Sequence, residues 1–253
     1  EIKGRIKVVH TEPMLSQDKI NTEDGLNSFI NRINDDILVQ QKLDGLTVTL
    51  KYNNEVFYQA VTRGNGIVGT DVTHLVKNIP NVPKKIKHKG FLEVRTEAII
   101  PTEIFEKINI SGEYKSARNL VSGTFNSLKG KVASERGVKC IAFEYIAGEG
   151  IEFEKDIDRL KYLEDLGFEV VDYKFFKNTE EGHNKLKDYI LTYNEEVRPT
   201  LPHKIDGLVL KADDLSLRED LGTTIKYPKW ACAFKFASLD AITILKDVVW
   251  QVG

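Results

Sequence analysis

Two cysteines in 253 residues, Cys140 and Cys232, are too few for a disulfide scaffold or a cysteine-rich zinc module, and they point to a reducing, cytoplasmic setting. No apolar run approaches the roughly 18 residues that a bilayer span needs, so no membrane is expected. No charged-then-apolar leader opens the chain. Neither charge is in excess: 36 Lys and Arg against 38 Asp and Glu give a net charge of -2, so nothing global draws the chain to polyanions. Any contact with nucleic acid must come from a local patch. An opening methionine is also missing, and residues 248–253 are strand-like; both ends read as cut from something longer. What remains is a folded composition, 41% apolar and 29% charged, with no internal repeat or low-complexity tract.

Over residues 37–58 apolar side chains recur at every second position, with Leu46, Val48 and Leu50 set against Thr47, Thr49 and Lys51. Asn53-Asn54 supplies a turn before Val56, so this stretch predicts a β-hairpin. Further strands are predicted over 91–100, 139–146, 168–175, 205–211 and 230–236. Helices are predicted over 22–34, 71–78, 101–109, 117–128, 157–166, 179–193 and 215–221, with Thr22 and Thr179 as N-caps and Pro101 at a first helical position. Hairpins mixed with irregularly placed helices favour an α+β fold over a doubly wound parallel sheet. Gly64, Gly66 and Gly69 follow half of a hairpin, so they read as tight turns beside Arg63 and not as a dinucleotide fingerprint. The basic run over 83–89 reads as a solvated loop.

Three lysines stand where an ammonium is costly. Lys211 ends the apolar Leu208-Val209-Leu210, and Lys235 lies between Phe234 and Phe236. Lys42 ends Ile37-Leu38-Val39-Gln40-Gln41 just before Leu43-Asp44-Gly45, where a strand enters a turn. Each alone is explained by an edge position with a snorkelling tip. Were they to converge, repulsion and desolvation would favour the neutral, nucleophilic amine of one. The other two would stabilise charge on a phosphoryl group. Spacing alone leaves the convergence open.

Lys42-Leu43-Asp44-Gly45 matches the Lys-x-Asp-Gly signature shared by DNA ligases, RNA ligases and mRNA capping enzymes. More specific are His10 with Pro13-Met14-Leu15-Ser16, Thr62-Arg63-Gly64-Asn65-Gly66, Glu93-Val94-Arg95-Thr96-Glu97, Ala117-Arg118-Asn119 with Gly123, Arg198-Pro199-Thr200-Leu201, Ile205-Asp206-Gly207, and Trp230-Ala231-Cys232-Ala233-Phe234-Lys235. In this order the chain closely resembles the adenylation domain of NAD-dependent DNA ligases.

The resemblance implies two packed antiparallel sheets flanked by helices, with the nucleotide in the groove between them. Residues 1–240 would form this domain and 241–253 the beginning of an OB domain. Lys42 would attack the α-phosphate of NAD to give lysyl-AMP and nicotinamide mononucleotide; AMP would pass to the 5′-phosphate of nicked DNA, and the 3′-hydroxyl would seal it. The same likeness implies Lys211 and Lys235 as α-phosphate ligands, Glu97 as a ribose-hydroxyl acceptor and Arg63 as a nucleotide contact. Tyr145 would be the adenine platform, Ser16 and Gln17 would line the adenine pocket, Asp44 would orient the lysine loop, and Arg118 and Arg198 would face phosphates. Mg²⁺ is implied without identifiable protein ligands, and zinc is not expected, since two cysteines cannot make a four-ligand site.

Several positions depart from the family pattern. Gln40 replaces a glutamate that accepts from the adenine amino group, Asn126 an arginine that grips the nick, Gln17 a leucine, Thr96 a glycine, and Ser116-Ala117 an Asn-Pro pair. Such divergence suits a ligase of a virus or mobile element, acting in a bacterial or infected host cell. The family's N-terminal nicotinamide-binding domain and its downstream domains are missing here, so poor reaction with NAD and little sealing are expected of this chain alone. Rival readings are an ATP-dependent ligase or capping-type enzyme, and an inert module that keeps the ligase shape.

Overall fold

The computed structural model describes residues 6–236, so the expected OB segment at 241–253 lies outside the described residues. The strands are β1 (Lys7–Val9), β2 (Asp18–Ile20), β3 (Ile37–Leu43), β4 (Leu46–Asn53), β5 (Val56–Thr62), β6 (Val68–Thr70), β7 (Phe91–Ile99), β8 (Lys139–Gly148), β9 (Tyr173–Phe176), β10 (Ile205–Ala212) and β11 (Ala231–Lys235). The helices are α1 (Glu23–Ile33), α2 (Thr73–Val76), α3 (Thr102–Ile108), α4 (Ala117–Phe125), α5 (Val132–Glu135), α6 (Asp156–Asp165), α7 (Glu180–Thr192) and α8 (Leu215–Leu221).

Two main sheets form, of order β2-β11-β10-β3-β9 and β5-β4-β7-β8, with β1 and β6 making a separate ribbon. The α+β class is as expected, with two corrections: the ribbon is additional, and β2 joins β11 in parallel, so the five-stranded sheet is mixed. Three residues of β2, with one apolar side chain, carry too little alternation to be read in advance.

The stretch read as one hairpin is divided between the sheets. β3 belongs to the five-stranded sheet, and only β4 and β5 form the hairpin, around Asn54 at φ 45°. The chain crosses at Asp44-Gly45, where a Cβ on Gly45 would sit 2.1 Å from the Ala98 carbonyl oxygen. Only glycine lets the backbones approach that closely.

Each sheet has its own core. On the four-stranded sheet Leu50, Tyr52, Leu92 and Val94 pack with Leu75 of α2, Leu120 of α4 and Leu163 of α6. On the five-stranded sheet Val39, Leu208 and Leu210 pack with Phe29 and Ile33 of α1 and Leu186 and Ile190 of α7, and Ile99 and Ile141 reach over from the other sheet. Thr22 and Thr179 cap α1 and α7 through their hydroxyls, as their sequence positions predict. Pro101 is the N-cap residue of α3 and not its first helical residue. The basic run is less solvated than expected: Ile86 and His88 are buried, and Lys84 donates to the Ile79 carbonyl at 2.9 Å.

Candidate active site

Strand alternation decides which side chains meet. Because Leu208, Leu210, Val39 and Cys232 face the core beside α1 and α7, Lys211, Lys42 and Lys235 all fall on the opposite face of the sheet. Gly207 of the central strand pairs with Lys42 on one side and Lys235 on the other, so no side chain separates the two lysines. Both ammonium groups reach one carboxylate: Asp206 lies 3.1 Å from Lys42 Nζ and 3.2 Å from Lys235 Nζ.

Lys211 shares the face but not that carboxylate. It lies four residues beyond Gly207, roughly 13 Å along the strand at about 3.3 Å per residue. Its Nζ is 3.9 Å from Asp156 and 3.5 Å from the Phe143 carbonyl. The structure therefore gathers two of the three amines and gives the third a counter-ion of its own. Burial pulls the Lys211 amine down, against Asp156 and Glu144. Burial would push Asp156 up, but Arg218 and Lys211 hold it below the usual carboxylate range.

The four-stranded sheet supplies the facing wall. Glu97 of β7 accepts from the Gly45 amide at 3.1 Å and from Thr47 Oγ1 at 2.9 Å. Burial pushes its carboxyl up to about 7, against the charges of Lys42 and Arg118. Asp44 pairs with Arg118 at 3.1 Å. Gly45, Thr47, Arg63, Glu97, Arg118 and Asn126 line a cleft of about 450 Å³, whose lining does not include Lys42, Lys211, Lys235 or Asp206. Arg63 Nη2 donates to the Met14 carbonyl at 3.2 Å and to Ser16 Oγ at 3.4 Å, strapping residues 14–16 beside the cleft. A larger cavity of about 590 Å³ between β9 and α7 holds none of the expected site residues.

The remaining expected residues are placed less centrally. Gln40 Nε2 donates to the Phe143 carbonyl at 3.1 Å. Gln17 is half-buried before β2 and makes no polar contact among the described residues. Arg198 donates to Asn194 and lies over the Phe236 ring, one residue beyond Lys235. Tyr145 pairs with Val94 and belongs to the apolar layer of the four-stranded sheet, edge-on to Phe153, with the Arg159 guanidinium 5.1 Å from its ring centre. It is not brought beside the lysines. Asp206 was not picked out from the sequence, although Asp206-Gly207 repeats the Asp44-Gly45 pair. Asp156 and Arg218 carry no local signal, since only the tertiary fold joins residues 62 apart.

A mixed α+β fold that displays a Lys-x-Asp-Gly turn beside Lys235, with Lys211 farther along the same sheet face, defines a nucleotidyltransferase domain of the ligase type. The family model for the NAD-dependent DNA ligase adenylation domain matches residues 5–239, and the chain belongs to that family. The chain is 36% identical over 260 residues to the DNA ligase of Halothermothrix orenii, covering 98% of this chain and 38% of that protein. With the DNA ligase of Pediococcus pentosaceus it shares 34% over 267 residues, covering 100% of this chain and 38% of that protein. Thus it spans about two-fifths of the length of these curated relatives. Among solved structures it is similar to a putative ATP-dependent DNA ligase from Aquifex aeolicus, with TM-score 0.47, 17% identity, and coverage of 81% of this chain and 47% of that one.

Proposed function

We propose that this chain takes AMP from NAD onto Lys42, as the first step of sealing nicked double-stranded DNA. The observation that carries the proposal is the pair Lys42 and Lys235 on Asp206, across Gly207 and beside the buried Glu97. Lys42 Nζ, once deprotonated, attacks the α-phosphorus of NAD; a P–N bond forms, and the P–O bond to nicotinamide mononucleotide breaks. Asp206 is the carboxylate already in contact with that amine. Lys235 and Lys211 neutralise charge on the α-phosphate, a task of electrostatics and placement more than of covalent chemistry.

Glu97 accepts from a ribose hydroxyl, Arg63 contacts the nucleotide, and Asp44 with Arg118 sets the turn after Lys42. Gln40 keeps an acceptor oxygen for the adenine amino group, because its amide nitrogen is taken by Phe143. Ser16 and Gln17 line the base pocket. Stacking of adenine on Tyr145 is not part of this reading, because the ring is buried in the apolar layer on the other face of the four-stranded sheet. Arg118 and Asn126 on α4 and its cap face DNA, and Arg198 faces a phosphate.

Mg²⁺ would be held chiefly by substrate phosphates and water. The donor set agrees with this: Asp44, Asp206 and Glu97 are already bonded to Arg118, to two lysines and to Gly45 and Thr47 respectively. No group of three or more metal-binding side chains occurs among the described residues. Cys140 and Cys232 are buried in different cores.

We take residues 1–240 as the adenylation domain and 241–253 as the start of an OB domain, in a protein of the cytoplasm whose other ligase domains hold nicotinamide mononucleotide and encircle DNA. By itself the chain binds AMP, reacts slowly with NAD and seals little. The test is intact mass after incubation of the full-length ligase with NAD or ATP. The expected result is a gain of one AMP from NAD, abolished by Lys42→Ala; an adduct persisting in Lys42→Ala would refute the nucleophile, and transfer from ATP alone would refute the donor.

A further inference from the structure

Lys211 has the most constrained surroundings of the three lysines. Its side chain is 4% exposed, and a buried ammonium needs a partner. The nearest carboxylate, Asp156, stands 3.9 Å away, beyond hydrogen-bond reach. That same oxygen accepts a 2.7 Å bond from Arg218 Nη2. Arg218 is itself fixed, with Nε 2.7 Å from the Ala212 carbonyl and its guanidinium 4.3 Å from the centre of the Trp230 ring. Asp156 is fixed by its place as the first residue of α6, with its amide bonded to the Asp213 carbonyl at 2.9 Å. Of the three charged groups, two are locked by bonds of ideal length and the ammonium is held only by charge and by Phe143.

We propose that Asp156 is a positioning residue: fixed by Arg218, its carboxylate directs the Lys211 side chain and keeps its amine charged to receive a nucleotide phosphate. This rests on the reading of Lys211 as a phosphate ligand. The groups facing Lys211 are Asp156 from α6, Glu144 from β8, Arg95 from β7 and Arg218 from α8. Glu144 is engaged by Arg95 at 3.0 Å, and Asp156 is the foremost of the charges that oppose burial of the amine, ahead of Glu144. Without Asp156 the amine loses its proton at a pH where the parent amine is still charged. Without Arg218 the same carboxylate is offered to Lys211 alone, and the amine holds its proton to higher pH.

The probe is AMP, titrated calorimetrically into the chain from pH 7 to pH 9.5, with thermal unfolding followed in parallel. The parent should lose affinity on the alkaline side as Lys211 deprotonates. In Asp156→Asn that loss should move down by roughly one pH unit, which makes the variant about fivefold weaker at the parent's midpoint and close to tenfold weaker above it. In Arg218→Gln it should move up. A merely structural role predicts weaker binding at all pH values in both variants and cannot give shifts of opposite sign. Replacing Lys211→Arg in the Asp156→Asn background should remove the pH dependence, since a guanidinium stays charged.

If Asp156→Asn does not fold, Arg218→Gln decides alone. An unmoved alkaline midpoint in the folded variants overturns the proposal. Lys211→Ala separates the two layers of the reading. If it binds AMP as tightly as the parent does, the phosphate-ligand role falls; if it binds weakly while Asp156→Asn keeps the parent midpoint, only the positioning role falls.

Discussion

Replacing Glu97 by glutamine should make the nucleotide-free chain more stable at pH 8 and leave it no more stable at pH 4.5. Burial raises the carboxyl from its ordinary 4.5 to about 7. Between these values the unfolded chain has released a proton that the folded chain retains, so stability falls as pH rises through the window and levels off above it. At about 1.4 kcal/mol per pH unit, the full cost above pH 7 is about 3 kcal/mol. Glutamine carries no charge and keeps one oxygen for the Gly45 and Thr47 donors, at a cost of about 1 kcal/mol for the acceptor it lacks. The net gain at pH 8 is therefore about 2 kcal/mol, turning into a loss of about 1 kcal/mol near pH 4.5. Urea unfolding of parent and Glu97→Gln, followed by circular dichroism at pH intervals between 4.5 and 8.5, measures the difference directly. A difference that stays constant within a few tenths of a kcal/mol across this range would refute a raised carboxyl at Glu97.

Gly207→Ala should destabilise the chain by about 1–3 kcal/mol, because its methyl group would sit 2.1 Å from the Phe234 carbonyl oxygen at a φ of 156°. It should also weaken AMP binding, by forcing apart the strands that carry Lys42 and Lys235; calorimetry with AMP checks this, and unchanged affinity would count against the shared carboxylate as the site's organiser. Arg118→Ala removes one partner of a pair whose arginine is 54% exposed, so unfolding free energy should change by less than about 0.5 kcal/mol. The same change should weaken binding of the full-length ligase to nicked DNA, read by gel shift at fixed salt.

Much of the architecture was legible because period-two alternation and cap residues are local signals. β4, β7, β10, α1 and α7 follow directly from them. The missed elements are those with too few residues to show a period: β1, β2, β6 and the single turn α5. The division of the 37–58 stretch between two sheets was hidden for another reason. Alternation continues through Asp44-Gly45 as it would in any hairpin, and only the closeness of the Ala98 backbone reveals that the chain changes sheet there. At the site, alternation set Lys235 on the face opposite Phe234 and Phe236, but that Lys42, Lys211 and Lys235 share one face follows only from the pairing register of β3, β10 and β11. Their division between Asp206 and Asp156 was not legible, since side-chain partners at these sequence separations depend on how helices α6 and α8 pack.

The crossing at Asp44-Gly45 has a mechanical side. Lys42 is the penultimate residue of β3, while the Gly45 amide three positions on is tied to Glu97 in the other sheet. The distance from Lys42 to the facing sheet is thus bounded by three residues of chain, at most about 11 Å of backbone.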